Sequence, residues 1–158
     1  FYIYKLHFMK TLKIIGIATQ TSNQDGQAIE DLGKLWTQFF GENIIAKVPH
    51  AISSNIYSVY TDYESDFRGE YTTIIGLEVS SLDEIPQGMI GREFEPQIFK
   101  KYIAKGELHE AVGKTWAEIW NDDENLNRTY KYDYELYTEK AQNPADAEIE
   151  IYIGVREE

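Results

Sequence analysis

Apolar positions along this chain switch between a period of two and a period of 3.6, and the switches come in the same order twice. Lys13 to Gln20 (KIIGIATQ) reads as a strand. From about Gln27 to Phe40, Ile29, Leu32, Trp36 and Phe39 recur at helical spacing. Two strand candidates follow, Asn55 to Asp62 (NIYSVYTD) and Tyr71 to Val79 (YTTIIGLEV), joined by a turn containing Asp66 and Gly69.

The second half repeats the order. Ile98 to Ala104 (IFKKYIA) is strand-like and ends at the breaker Gly106. Leu108, Val112, Trp116 and Ile119 mark an amphipathic helix. Tyr130 to Thr138 (YKYDYELYT) and Ala147 to Val155 (AEIEIYIGV) close the chain, with Asn143-Pro144 in the turn between them. All four prolines, Pro49, Pro86, Pro96 and Pro144, fall in connecting segments, where no ladder hydrogen bond is lost.

A residue-level match accompanies the repeat. Gly33-Lys34-Leu35-Trp36 aligns with Gly113-Lys114-Thr115-Trp116, each on the helix of its half. The expected fold is therefore α+β: two pseudo-symmetric β-α-β-β modules, residues 11–79 and 96–155, with antiparallel sheets around a central ligand groove. They form a single domain over 1–158, a length suited to one compact core that needs no disulfide or metal to hold it.

Residues 1–10 are read as an N-terminal extension or an edge strand, and both readings stay open. Within it, Phe1 to Phe8 is apolar but interrupted by Lys5 and His7, lacks a cleavage signal, and precedes a candidate start at Met9.

Composition narrows the function. With no cysteine, thiol catalysis and zinc-thiolate sites are excluded. A net charge of −12 opposes contact with phosphate backbones, so no direct nucleic-acid binding is expected. No apolar run is long enough to span a bilayer, and a cytoplasmic location is expected. His7, His50 and His109 lack paired-ligand spacing, so neither metal nor cofactor is expected. Gly113-Lys114-Thr115 imitates the end of a phosphate loop, but Leu108 stands where that motif needs glycine. Asp122-Asp123-Glu124 reads as a solvated loop, and no serine sits in a nucleophile elbow.

Longer stretches carry a family likeness. Ile56 to Asp66 (IYSVYTDYESD), Gly69 to Thr72, Gly76 to Pro86 (GLEVSSLDEIP), Trp116-Ala117-Glu118-Ile119-Trp120, Asp133 to Tyr137 (DYELY) and Ile149 to Ile153 (IEIYI) resemble the integron-associated cassette branch of the GyrI-like, or AraC effector-binding, family. The resemblance runs from about residue 11 to the end. It implies a multidrug-type pocket between the modules that accepts lipophilic cations, lined by aromatic residues of both halves. A glutamate of the second module reaches into that pocket, and it falls on Glu135. Many relatives carry an attached DNA-binding region. A role in transcription regulation would here run through a separate protein partner, and a homodimer is also open.

By alternation Asp133, Glu135 and Tyr137 share one face of their strand, and Tyr132, Tyr134 and Leu136 share the other. Alternation alone suits a solvent-facing Glu135; the resemblance assigns it to the pocket. A carboxylate among aromatic rings is costly when ionised and unpaired, and a bound cation supplies the partner. Trp36 and Trp116 are either core packing or π faces toward the groove. Trp120, four residues beyond Trp116, shares its face or packs in the core. Tyr60, Tyr71, Tyr137 and Tyr152 complete the candidate ligand-binding set, with Tyr60 aligned to Glu135 in the repeat. Glu78 and Glu150 are treated as surface residues. The leading expectation is a non-catalytic effector-binding protein. The alternatives are a GyrI-like hydrolase of electrophilic small molecules, with Glu135 as general acid or base, and a protein inhibitor of a larger enzyme.

Overall fold

A computed structural model describes residues 3–8 and 11–156. The elements are β1 (Ile3–Phe8), β2 (Leu12–Ser22), α1 (Gln27–Gly41), the short α2 (Ile44–Lys47), β3 (Ile56–Thr61), β4 (Glu70–Glu78) and β5 (Ile90–Phe94), then β6 (Ile98–Gly106), α3 (Leu108–Asn121), the short α4 (Asp123–Leu126), β7 (Tyr132–Tyr137) and β8 (Ala147–Val155). The strand pairs are antiparallel, and the order is β1-β6-β8-β7-β3-β4-β2-β5.

That order reads the same way from both ends. Each half places its β-α-β-β strands in the mirrored sequence, and the halves meet where β3 pairs with β7 (Ser58 opposite Glu135, Tyr60 opposite Asp133). The two expected sheets are thus one continuous sheet, because the seam strands satisfy each other's backbone groups instead of leaving two bare edges. The strand leading into each half crosses over: β1 pairs with β6 and β5 with β2. Strand pairing therefore answers the open question for Ile3–Phe8, whereas residues 1, 2, 9 and 10 of that segment lie outside the described residues. β5 had no sequence signal, since Gly91, Arg92 and Glu93 interrupt any alternation.

Only residues 95–97 link β5 to β6, although six strand spacings separate them in the sheet order. Laid flat, that is about 29 Å, and four residue steps reach at most about 14 Å. The sheet must curl. It does so toward its helix-free face, where Phe94 and Phe99 both pack on Tyr132, with ring centroids 4.7 and 5.4 Å away. Gly16 and Gly76 face each other across β2 and β4, and a Cβ on either would meet an opposing carbonyl oxygen at 2.1–2.2 Å. The turn out of β6 needs Gly106, at φ +136°, and Glu107 then caps α3 by accepting the Glu110 N–H at 3.0 Å.

The other face carries the helices. α1 buries Leu35 and Phe39 over Ile15, Ile17, Ile75 and Leu77, and α3 buries Ala111 and Ile119 over β6 and β8. Each helix has a second apolar stripe beside the buried one: Ile29, Leu32, Trp36 and Phe40 on α1, and Leu108, Val112, Trp116 and Trp120 on α3. These stripes meet the seam strands through their tryptophans, Trp36 at Tyr137 and Trp116 at Tyr60 and Glu135. They face the space between the helices.

Candidate functional site

Two helices standing apart on one sheet leave a groove, and its floor is the β3–β7 seam. The cavity measures about 1220 Å³ and is lined by both free helical stripes together with residues of β3, β4 and β7. Six of the seven expected site residues line it: Glu135, Trp36, Trp116, Tyr60, Tyr71 and Tyr137. Tyr152 does not. Its Cα pairs with that of Tyr134, so it shares the face opposite Glu135, stacks on the Tyr134 ring at 4.7 Å and donates its hydroxyl to Glu150 at 2.6 Å. Strand alternation decides this correction.

Glu135 is 3% exposed at the floor. Trp116 Nε1 donates to Oε2 at 2.7 Å, and the Tyr137 hydroxyl donates to Oε1 at 2.6 Å. Burial raises its pKa above the usual carboxylate value, while the bonds from Tyr137, Trp116 and Tyr60 pull it partly back. No lysine, arginine or histidine among the described residues contributes to that balance. Among the described residues the carboxylate therefore has neutral donors and no ion-pair partner. Burial, then the nearby Glu135 charge, holds the phenols of Tyr60 and Tyr137 well above their ordinary value, so both stay protonated.

Aromatic rings surround this charge. The Trp116 ring meets Tyr60 edge-on at 5.5 Å, and Trp36 meets Tyr137 edge-on at 5.2 Å. Tyr60 lies 5.9 Å from Tyr71, and Trp120 lies 6.2 Å from Trp116 and stacks on Phe67 at 5.7 Å. Trp36, Trp116 and Trp120 are all partly exposed within the groove, not sealed in the core. Tyr60 was aligned to Glu135 in the repeat; in the ladder its direct partner is Asp133, and Ser58 pairs with Glu135.

Sequence reasoning missed Tyr63, Phe67 and Arg128, which close one end of the cavity. They lie in loops, where no periodicity marks a side chain's direction. It also misjudged Asp123. That residue opens α4, accepts the Tyr130 hydroxyl and lies 3.6 Å from Arg128, so it belongs to a network and not to a solvated loop. Glu78 and Glu150 line the cavity nowhere; they accept tyrosine hydroxyls on the opposite face. Among the described residues no cluster of acidic or histidine side chains is placed to hold a metal ion, and no helix is long and apolar enough to cross a membrane.

Comparison with known proteins adds to this geometry. Residues 6–155 match the sequence model of the family described as Cass2, integron-associated effector binding protein. The chain belongs to that family. It is 26% identical over 147 residues to YobU of Bacillus subtilis (strain 168), a protein provisionally named a transcriptional regulator, with 91% of this chain and 92% of that one covered. Among solved structures it resembles the integron cassette protein from the mobile metagenome of Vibrio cholerae, at a TM-score of 0.73 and 23% identity, over 98% of this chain and 99% of that one. It also resembles SAV2435 bound to tetraphenylphosphonium, at a TM-score of 0.79 and 19% identity, over 97% and 93% of the two chains. These structural likenesses establish the shared fold, of α+β class with an antiparallel sheet.

Proposed function

We propose that this effector-binding protein is a receptor for a lipophilic cation held between α1 and α3, with Glu135 as the counter-ion. One observation carries the reading: a buried carboxylate that no cationic side chain of the described residues neutralises, set among π faces in an open cavity. Leaving that charge unpaired is unfavourable, and a ligand cation removes the deficit in a way that a neutral molecule of the same shape cannot. Trp36, Trp116, Tyr60, Tyr71 and Tyr137 add apolar contact and cation–π attraction. The cavity exceeds the usual range of roughly 300–1,000 Å³ for small-molecule sites, which suits a bulky organic cation. That SAV2435, a relative by fold, was solved with tetraphenylphosphonium bound supports the same ligand class.

The receptor reading includes a sensing role in transcription exerted through a protein partner, since a net charge of −12 disfavours direct contact with DNA. A cytoplasmic site of action goes with it.

Calorimetric titration with three probes of similar bulk tests the reading: tetraphenylphosphonium, neutral triphenylphosphine oxide and anionic tetraphenylborate. The phosphonium should bind tightest and the borate not at all. Equal affinity for phosphonium and borate would overturn the proposal.

A further inference from the structure

Glu135 is not the only buried carboxylate on its face of β7. Asp133 lies two residues earlier on the same strand, so the two Cα atoms are about 7 Å apart, and Asp133 is fully buried. Their surroundings differ in one respect. The Asp133 Oδ2 atom accepts Arg128 Nη2 at 2.7 Å and the Tyr63 hydroxyl at 2.5 Å, and Oδ1 accepts the Gly154 backbone N–H at 2.7 Å. Arg128 is equally buried, its side chain 1% exposed against 0% for Asp133, and its guanidinium lies 4.2 Å from the Tyr130 ring centre. Asp123 approaches Arg128 Nη1 at 3.6 Å, but it is a quarter exposed and so partly screened by water.

We infer that the Arg128–Asp133 pair sets the charge that the cavity selects: it neutralises one of two neighbouring buried carboxylates of β7 and leaves Glu135 as the buried carboxylate of the cavity without a cationic partner, whereas Glu139 in the lining is exposed to water. The inference rests on the receptor reading above. Arg128 and Tyr63 form the cavity wall at that end, with Asp133 beneath them. Without the arginine, Asp133 beneath the wall would add a second buried negative charge beside Glu135 and favour a dication. Without the aspartate, Arg128 would keep only the partly exposed Asp123 as partner, and its charge in the cavity wall would oppose a cationic ligand. Arg128 and Asp133 are thus positioning residues for charge and need not touch the ligand.

Asp133→Asn keeps the side-chain shape and removes one charge. It should weaken tetraphenylphosphonium on the order of tenfold and leave triphenylphosphine oxide unchanged. Arg128→Met combined with Asp133→Asn restores the balance and should bring phosphonium affinity back to within about threefold of wild type. A second readout needs no ligand. In a carboxyl NMR titration the Glu135 pKa should fall in Asp133→Asn, because Arg128 then stabilises the ionised form, and should return in the double variant.

A folded Asp133→Asn protein with unaltered phosphonium affinity and unaltered Glu135 titration would reduce the pair to scaffolding and overturn the inference. Should the single variant fail to fold, the double variant decides. Near-wild-type phosphonium binding and Glu135 titration support the inference. A loss beyond tenfold that spares the oxide, or a displaced Glu135 titration, overturns it. Wild-type protein that ignores tetraphenylphosphonium counts against the receptor reading, whereas the Glu135 titration still judges the charge balance.

Discussion

Trp116 Nε1 donates to Glu135 Oε2 across 2.7 Å, joining helix α3 to the seam strand β7 at one carboxylate. The bond holds the indole in the groove and stabilises the charged form of Glu135 without neutralising it. Tyr137 does the same for the other oxygen from two residues along the strand. Neutral donors keep the site ionisable, and in the proposed function a ligand cation supplies the positive charge.

Glu135→Gln should cost a lipophilic cation about 2–5 kcal/mol of binding free energy. Triphenylphosphine oxide should lose far less, because the shape of the pocket is retained. Calorimetry with both probes checks the difference, and equal losses would mean that Glu135 is not the counter-ion.

The pH dependence has a definite sign. Burial raises the Glu135 pKa in the folded protein above its unfolded value near 4.5. Between the two values the folded state holds a proton that the unfolded state has released, so this residue's contribution to stability falls as pH rises through that window. Thermal unfolding from pH 4.5 upward should therefore show a decline that Glu135→Gln removes, read as the difference between the two proteins. Cation binding should run the other way and weaken as pH drops below the raised pKa, because a proton competes for the same carboxylate.

Trp36 and Trp116 should separate by role. Trp36 stacks on Phe40 at 5.8 Å and makes no hydrogen bond to Glu135. Trp36→Leu should lower cation affinity by about 0.5–2 kcal/mol through loss of a π face, with the Glu135 titration unmoved. Trp116→Phe keeps a ring but deletes the N–H, so the Glu135 pKa should rise further. Its charge-assisted bond is worth roughly 1.5–3 kcal/mol where the carboxylate is ionised. Intrinsic fluorescence and a carboxyl NMR titration on both variants distinguish the two effects.

Gly76→Ala tests the close approach of β2 and β4. Its Cβ would sit 2.2 Å from the Ile15 carbonyl oxygen, so β2 and β4 would have to move apart. A loss of about 1–3 kcal/mol or more is expected in denaturant unfolding. Ala at Gly33, where a Cβ meets open space, should cost nothing comparable.

Much of the architecture was present as local pattern. Strand alternation put Asp133, Glu135 and Tyr137 on one face and Tyr134 on the other, and the structure agrees because side-chain direction in a strand follows from its own backbone. Helical spacing likewise exposed Trp36 and Trp116 as partners in a repeat, and the mirrored strand order contains that repeat.

What required the tertiary structure were relations between segments. The face of Tyr152 depended on its register against Tyr134, which no single strand specifies. The crossed edge strands depended on the sheet curling far enough for residues 95–97 to join β5 to β6. The split of each helix into a buried and a groove stripe depended on how far apart α1 and α3 stand. Arg128 shows the limit most clearly. It sits in a loop with no period, and its role comes from meeting Asp133 and Tyr63, one of them 65 positions away in the chain. Local sequence determines which way a side chain points from its own backbone. Which charges stay paired is decided only when distant segments fold together and water is excluded.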